Sequence, residues 1–193
     1  MGYVESPCEG TSPDLGLHTF FTDETTARCV QTVKRAAEEA GRDPASVRVW
    51  SCFATVGDHL PEALRLKKTV GRMATYLQGY GDLMVKTNGW DPDVLARFRA
   101  DELVAGFRGA LDTTATTEQP EHVATLIPDE WLAPAATGSP EQCVQKIQGQ
   151  FDLGCDGVIL HGASPAELEP VVAAYRKARP GARFGGLASN PAG

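Results

Sequence analysis

Three stretches of the sequence repeat one order of signals, and that repetition limits the possible folds more than any other feature. Each has an apolar run of strand length, a short loop, a capped first turn and an amphipathic helix, near residues 15–40, 47–78 and 157–178. The echo shows in the residues: DLGLHTFFTDETTARCV begins at Asp14 and DGVILHGASPAELEPVV at Asp156. Alternating strands and helices imply a parallel sheet with helices packed on it. Two architectures qualify, a doubly wound sheet and a (β/α) barrel. No GxGxxG follows any of the strands, which disfavours a dinucleotide-binding Rossmann unit.

Local signals set the boundaries. Leu15–Phe21 reads as a buried strand. Thr22 caps a helix whose first turn carries Asp23 and Glu24, and Gly41 stops it where a left-handed residue is wanted. Val47–Val56, VRVWSCFATV, is apolar almost throughout, so both of its faces are expected to be covered. A helix from Pro61 to about Gln78 turns Leu64, Leu66, Val70, Met73, Ala74 and Leu77 inward. From Thr75 to Pro92 the glycines predict an irregular loop with short helical pieces. Asp91 and Pro92 open a helix to about residue 100. Thr116–Gln119 fits a capping box for a helix to about Ile127, and Pro128 opens one more turn.

The C-terminal third carries two capping boxes, Ser139-Pro140-Glu141-Gln142 and Ser164-Pro165-Ala166-Glu167. Each opens a helix. The first helix ends at Gly154, the second runs from about Pro165 to Ala178, and Val158–Leu160 is the strand between them. Residues 1–13 read as a disordered lead-in and 179–193 as a flexible tail around one domain, 14–178.

Composition narrows the class. The chain has 193 residues and a formal net charge of −7. It lacks the basic footprint of a nucleic-acid binder, and its acidity argues against a membrane surface as well. No apolar run approaches the roughly 20 residues that span a bilayer, and the N-terminus has no signal-peptide pattern. Five cysteines occur without a CxxC pair, which disfavours a structural zinc site and suits a reducing, cytoplasmic compartment.

In both architectures ligands meet the C-terminal ends of the strands. Three positions qualify: His18-Thr19, Ala54-Thr55 and His161-Gly162. His18 and His161 end equivalent strands, so both imidazoles can face one mouth and exchange a proton or donate a hydrogen bond near neutral pH. A structural histidine at a strand end is the alternative for each. Gly162-Ala163-Ser164 opens a helix whose first amides could cradle an anion, or could serve capping alone. Lys67, Lys68 and Arg72 form a basic patch that reads as a solvated face. Tyr76, Tyr80, Lys86 and Trp90 would form either a lid over the mouth or packing against a neighbour.

Thr137–Arg176, TGSPEQCVQKIQGQFDLGCDGVILHGASPAELEPVVAAYR, resembles the C-terminal end of luciferase-like monooxygenases. These are flavin- or deazaflavin-dependent oxidoreductases on a (β/α)8 barrel. Ala36–Trp50, AAEEAGRDPASVRVW, matches an earlier helix-to-strand step of that family. Tyr76–Pro92 is similar to a subgroup that depends on the deazaflavin coenzyme F-420. The resemblance covers about residues 14–178.

The resemblance implies a partial (β/α)8 barrel: the last three strand-helix units, with extra helices before the final strand. It implies hydride transfer between reduced F-420, or alternatively FMN, and a small-molecule organic substrate. His18, Thr55, His161, Gly162 and Ser164 would line the substrate side of the pocket. A full barrel takes about 250 residues, so the chain is expected to be a C-terminal fragment, inactive alone. A truncation, a split half or a misplaced start would produce one, and the lead-in does not resemble the family sequence. An uncovered sheet edge would call for a homo-oligomer or a complementing barrel half. The alternative is a non-catalytic half-barrel module that assembles with itself or a partner chain.

Overall fold

The computed structural model describes residues 14–116 and 118–184. Four parallel strands form the sheet: β1 (Asp14–Leu17), β2 (Arg48–Gly57), β3 (Ala136–Gly138) and β4 (Gly157–His161). β2 is the organiser. It pairs with β1 from Asp14↔Arg48 to Leu17↔Ser51, and with β4 from Trp50↔Gly157 to Ala54↔His161. Both partners contact Trp50 and Ser51, so they lie on opposite edges of β2. β3 pairs only with its C-terminal end, Thr55–Gly57. The sheet is open, and the whole is part of a TIM-barrel-like α/β fold.

The helices are α1 (Asp23–Glu39), α2 (Glu62–Leu66), α3 (Arg72–Asn88), α4 (Pro92–Ala100), α5 (Glu102–Gly106), α6 (Leu111–Thr114), α7 (Gln119–Ala124), α8 (Asp129–Leu132), α9 (Pro140–Asp152), α10 (Pro165–Ala178) and α11 (Gly181–Phe184). A π-helical turn, Lys67–Gly71, links α2 to α3. Among the described residues no helix is long and apolar enough to cross a membrane, and Cys29, Cys52, Cys143 and Cys155 are free thiols.

Strand alternation assigns the two faces. Leu15, Leu17, Val49, Ser51, Phe53, Thr55, Val158 and Leu160 face the helices. Val30 of α1 packs on Leu17 and Val49, while Ile147 of α9 and Val171 of α10 pack with Phe53. One buried polar pair crosses this layer, Ser51 Oγ donating to Gln150 Oε1 at 2.8 Å. The other face carries Gly16, His18, Trp50, Cys52, Ala54, Gly157, Ile159 and His161. Its cover is incomplete, against the expectation of burial on both sides. Phe53–Gly57 is buried throughout, but Trp50 and Cys52 are half-buried and Ile159 is 48% exposed. Gly157 leaves room for the Trp50 indole, since a Cβ there would sit 2.2 Å from a ring carbon.

The largest core is helical. Val70, Met73, Leu77 and Met84 pack with Phe98, Leu111, Val123 and Trp131, and with Phe20 and Ala54 from the strand ends. Helices α3–α8 therefore cap the C-terminal end of the sheet. Here the predicted loop 75–92 is corrected. Buried Leu77, Met84 and Val85 carry α3 on to Asn88, broken only at Tyr80 (φ −150°, ψ 35°), and Gly89 (φ +69°) ends it. Gly81 serves close packing, because a Cβ would lie 2.7 Å from Leu95 of α4.

Other boundaries shift less. β1 ends at Leu17, and the chain then turns through Phe20, a buried residue at φ +64°. Asn88 holds that turn, donating to the Phe20 carbonyl at 3.0 Å and accepting from the Thr22 amide at 3.2 Å. β3 is an additional strand, three residues long and without an apolar run of its own to announce it. α7 begins at Gln119, whose side-chain Oε1 accepts from the Thr116 amide, so only half of the expected box forms. Both C-terminal boxes form completely, at Ser139–Gln142 and Ser164–Glu167. Within the expected tail, α11 buries Phe184 on Phe151. The lead-in, 1–13, and residues 185–193 lie outside the described residues.

Candidate functional site at the strand ends

The C-terminal ends of β1, β2 and β4 lie beneath one stripe of α3. Arg72, Tyr76 and Tyr80 are spaced i, i+4, i+8, which puts them close together on one face of a helix. They meet His18 and His161, the two imidazoles that the strand-end pattern singled out.

His18 continues β1. Tyr76 and Tyr80 each present a ring edge-on to it, at 5.0 Å between centroids. Its Nδ1 lies 2.8 Å from the Thr19 carbonyl and its Nε2 2.8 Å from the Tyr80 hydroxyl. A carbonyl only accepts, so the network assigns the proton to Nδ1 and leaves Nε2 to accept from Tyr80. Burial raises the Tyr80 phenol well above its ordinary pKa, reinforced by Tyr76 and opposed by Arg72. Tyr80 therefore remains a donor at neutral pH. Thr19 is buried, and its hydroxyl donates to Cys52 Sγ at 3.2 Å.

His161 ends β4. Arg72 Nη1 donates to its Nε2 at 3.3 Å. A guanidinium cannot accept, so the His161 proton sits on Nδ1. That Nδ1 is buried and has no hydrogen-bond partner among the described residues. Burial lowers the His161 pKa below 6.5, helped by Arg72 and His18 and opposed by Asp112. The ring is thus a neutral donor waiting for an acceptor. Arg72 is itself held by Asp112, Nε to Oδ2 at 2.8 Å, and Thr75 donates to the same carboxylate at 3.0 Å. Gly71 lets α6 approach, since a Cβ there would come within 3.2 Å of the Asp112 backbone.

The remaining expected site residues sit elsewhere. Thr55 is fully buried on the helix-facing side, and its hydroxyl donates to the Phe53 carbonyl at 3.0 Å. It does not join His18 and His161, because neighbouring strand residues point to opposite faces. Gly162 (φ +99°) and Ser164 form the loop after His161. The anion cradle expected there is filled by the chain itself. The Ser164 amide donates to Glu167 Oε2 at 2.6 Å, and Lys68 bridges that carboxylate, at 3.1 Å, and the Gly162 carbonyl, at 3.3 Å. The basic patch is correspondingly not a bare solvated face, since Lys68 and Arg72 each hold an acid. Trp90 stacks on Trp131 at 4.6 Å with the rings 9° apart, which is packing and not a lid.

Arg72, Tyr76 and Tyr80 escaped as a unit because the glycines beside Tyr80 masked the helical spacing. Asp112 left no sequence signal, since its role comes from a contact 40 positions from Arg72. Chemically the site offers donors and aromatic edges around a partly covered floor. Among the described residues no group of three or more potential ligands could hold a metal.

The model of the luciferase-like monooxygenase family matches residues 14–157. The chain belongs to this family. A solved structure similar in fold is the coenzyme F-420 dependent tetrahydromethanopterin reductase from Methanopyrus kandleri. The similarity has a TM-score of 0.59 at 16% identity, over 82% of this chain and 42% of that one. The chain thus spans less than half the length of the reductase. No curated protein matches it in sequence. The family match covers β1 and β2 with their helices, the helical cap and α9, reaching the first residue of β4.

Proposed function

We propose that the chain forms the substrate-side wall of an oxidoreductase site that uses the deazaflavin coenzyme F-420, or alternatively FMN, with a small organic substrate. The observation that carries this reading is the convergence of Arg72, Tyr80, His18 and His161 at the ends of β1 and β4. The donor set suits the polar edge of a planar heteroaromatic ring, and the unpartnered His161 Nδ1–H is the atom that such an acceptor would satisfy. His161, Arg72 and Tyr80 would hold that edge. When bound, the cofactor supplies the hydride chemistry, and the protein positions and polarises. Asp112 keeps Arg72 aimed at His161, the Thr19 carbonyl fixes the His18 tautomer while Tyr80 donates to its Nε2, and the helical cap over Ala54 and Phe20 limits the access of water. We place the protein in the cytoplasm, in keeping with its free thiols.

On this reading the barrel is completed by chain that lies beyond these four strands, and hydride transfer by the isolated polypeptide is absent. The exposed Ile159 and the part-covered Trp50 favour a second possibility, a non-catalytic half-barrel that closes on itself or a partner. Titrating the purified protein with F-420, and separately with FMN, while following cofactor fluorescence distinguishes the two. Saturable binding that weakens in Arg72→Met supports the oxidoreductase wall. No binding of either cofactor, with sedimentation as a closed oligomer, refutes it in favour of the module.

A further inference from the structure

A separate cavity of about 170 Å3 opens beside this mouth, lined by Val56, Glu62, Arg65, Leu66, Thr69 and Thr137. Val56 and Thr137 are register partners at the C-terminal ends of β2 and β3. The other four come from α2 and the π turn. Val56 also approaches the His161 loop, since a Cβ on Gly162 would lie 3.8 Å from its methyl group. The cavity therefore adjoins the strand-end site without sharing its four polar residues.

Its most informative member is Arg65. The segment 65–72 carries four cations, and three have partners. Lys67 donates to the Thr113 carbonyl at 2.8 Å, Lys68 holds Glu167 and Arg72 holds Asp112. Arg65 differs: among the described residues no acid pairs with its guanidinium and its buried Nε has no hydrogen-bond partner, whereas Arg72 Nε, which also makes no hydrogen bond, lies 2.8 Å from Asp112. Burying a guanidinium N–H without an acceptor is costly, so its persistence in a cavity wall asks for one. The volume holds about six waters at liquid density. Val56 and Leu66 make part of the wall apolar, which strengthens a charge-assisted bond formed there. The Thr69 and Thr137 hydroxyls add polar groups, while Glu62 places a carboxylate at the exposed rim and opposes an anion.

We propose that this cavity is an oxyanion subsite in which the Arg65 guanidinium receives the phosphate or carboxylate group of a small-molecule ligand. The inference deepens the proposed function and rests on it for the identity of the mouth: the substrate there would be an organic acid or a phosphate ester. Arg65 would anchor its charged end while the reacting end lies toward His161. A fork of parallel N–H donors suits either oxyanion.

Titration with inorganic phosphate at fixed ionic strength, followed by amide NMR shifts, tests the subsite without any cofactor. Acetate is run in parallel, and the tighter of the two identifies the group. Saturable shifts around Arg65, Thr69 and Thr137 are expected. Arg65→Met should weaken binding by about tenfold or more. Glu62→Gln should tighten it, and Lys67→Met, an equal loss of charge outside the cavity, should leave it within about twofold. The opposite responses of Arg65→Met and Glu62→Gln guard against misreading a folding defect. Absence of saturation by either anion below about 50 mM, or an equal loss in Arg65→Met and Lys67→Met, overturns the proposal. Phosphate or acetate binding in a closed oligomer that takes up neither F-420 nor FMN would sink the oxidoreductase reading and leave the subsite standing.

Discussion

Replacing Glu167 by Gln isolates the worth of one charge at the start of α10. The Ser164 amide, the Ser164 hydroxyl and Lys68 together draw the Glu167 pKa from its ordinary 4.5 down to about 2, against a smaller opposing effect of burial. That gap sets an upper limit of about 3.4 kcal/mol for the stability it confers at neutral pH. The side chain retains 22% of its surface, and screening by water reduces the figure to about 1–1.5 kcal/mol. Gln can keep the capping bond, as Gln142 does at the head of α9, so the loss is the charged part alone. The sign follows from the depressed folded-state pKa. The stabilisation is present above pH 4.5 and disappears as pH falls toward 2. Urea unfolding of both proteins from pH 7 to pH 2.5 measures it. The wild type should be the more stable by about 1–1.5 kcal/mol at pH 7, with the two curves converging in acid. A difference that stays constant down to pH 2.5, or widens, refutes the assignment.

Three further outcomes are expected. Gly157→Ala forces a Cβ into the Trp50 indole and should cost about 1–3 kcal/mol, read as a lower Tm and recovered in part by Trp50→Leu. Lys34 donates to the Pro44 and Val47 carbonyls and to Asp156, at 3.2, 2.6 and 2.8 Å. Lys34→Met should lower stability by about 1–2 kcal/mol in denaturant unfolding, and an unchanged midpoint would show that staple to be idle. Arg72→Met should move the His161 titration upward, since burial and then Arg72 depress it. Histidine NMR against pH reads this directly, and a fixed midpoint would contradict the network.

What could be read from the sequence was what depends on neighbours along the chain. The Ser139 and Ser164 boxes, the Asp91 cap and the stops at Gly41 and Gly154 are local chemistry, and all formed. The placement of His18 and His161 at neighbouring strand ends was legible because a strand end is recognisable and both runs close on Leu-His. Other features resisted for physical reasons. Gly79 and Gly81 carry the composition of a turn, but the packing of Gly81 on Leu95 keeps them helical. β3 is three residues long and exists only through its pairing with β2. Thr55 was one residue out of phase, and with a period of two that single step moves a side chain to the wrong face. Asp112 and the cavity around Arg65 depend on contacts between distant segments, which no local pattern encodes.

The π turn at Lys67–Gly71 works as slack in the helix. It holds one residue more than an α-helical turn would, and each residue advances a helix by about 100°. The turn absorbs that residue, so deleting a single position there would restore an unbroken screw with Arg72, Tyr76 and Tyr80 still under the strand ends and Met73, Leu77 and Met84 still in their core. The same deletion inside α3 meets no such slack and would turn every later side chain of that helix by about 100°.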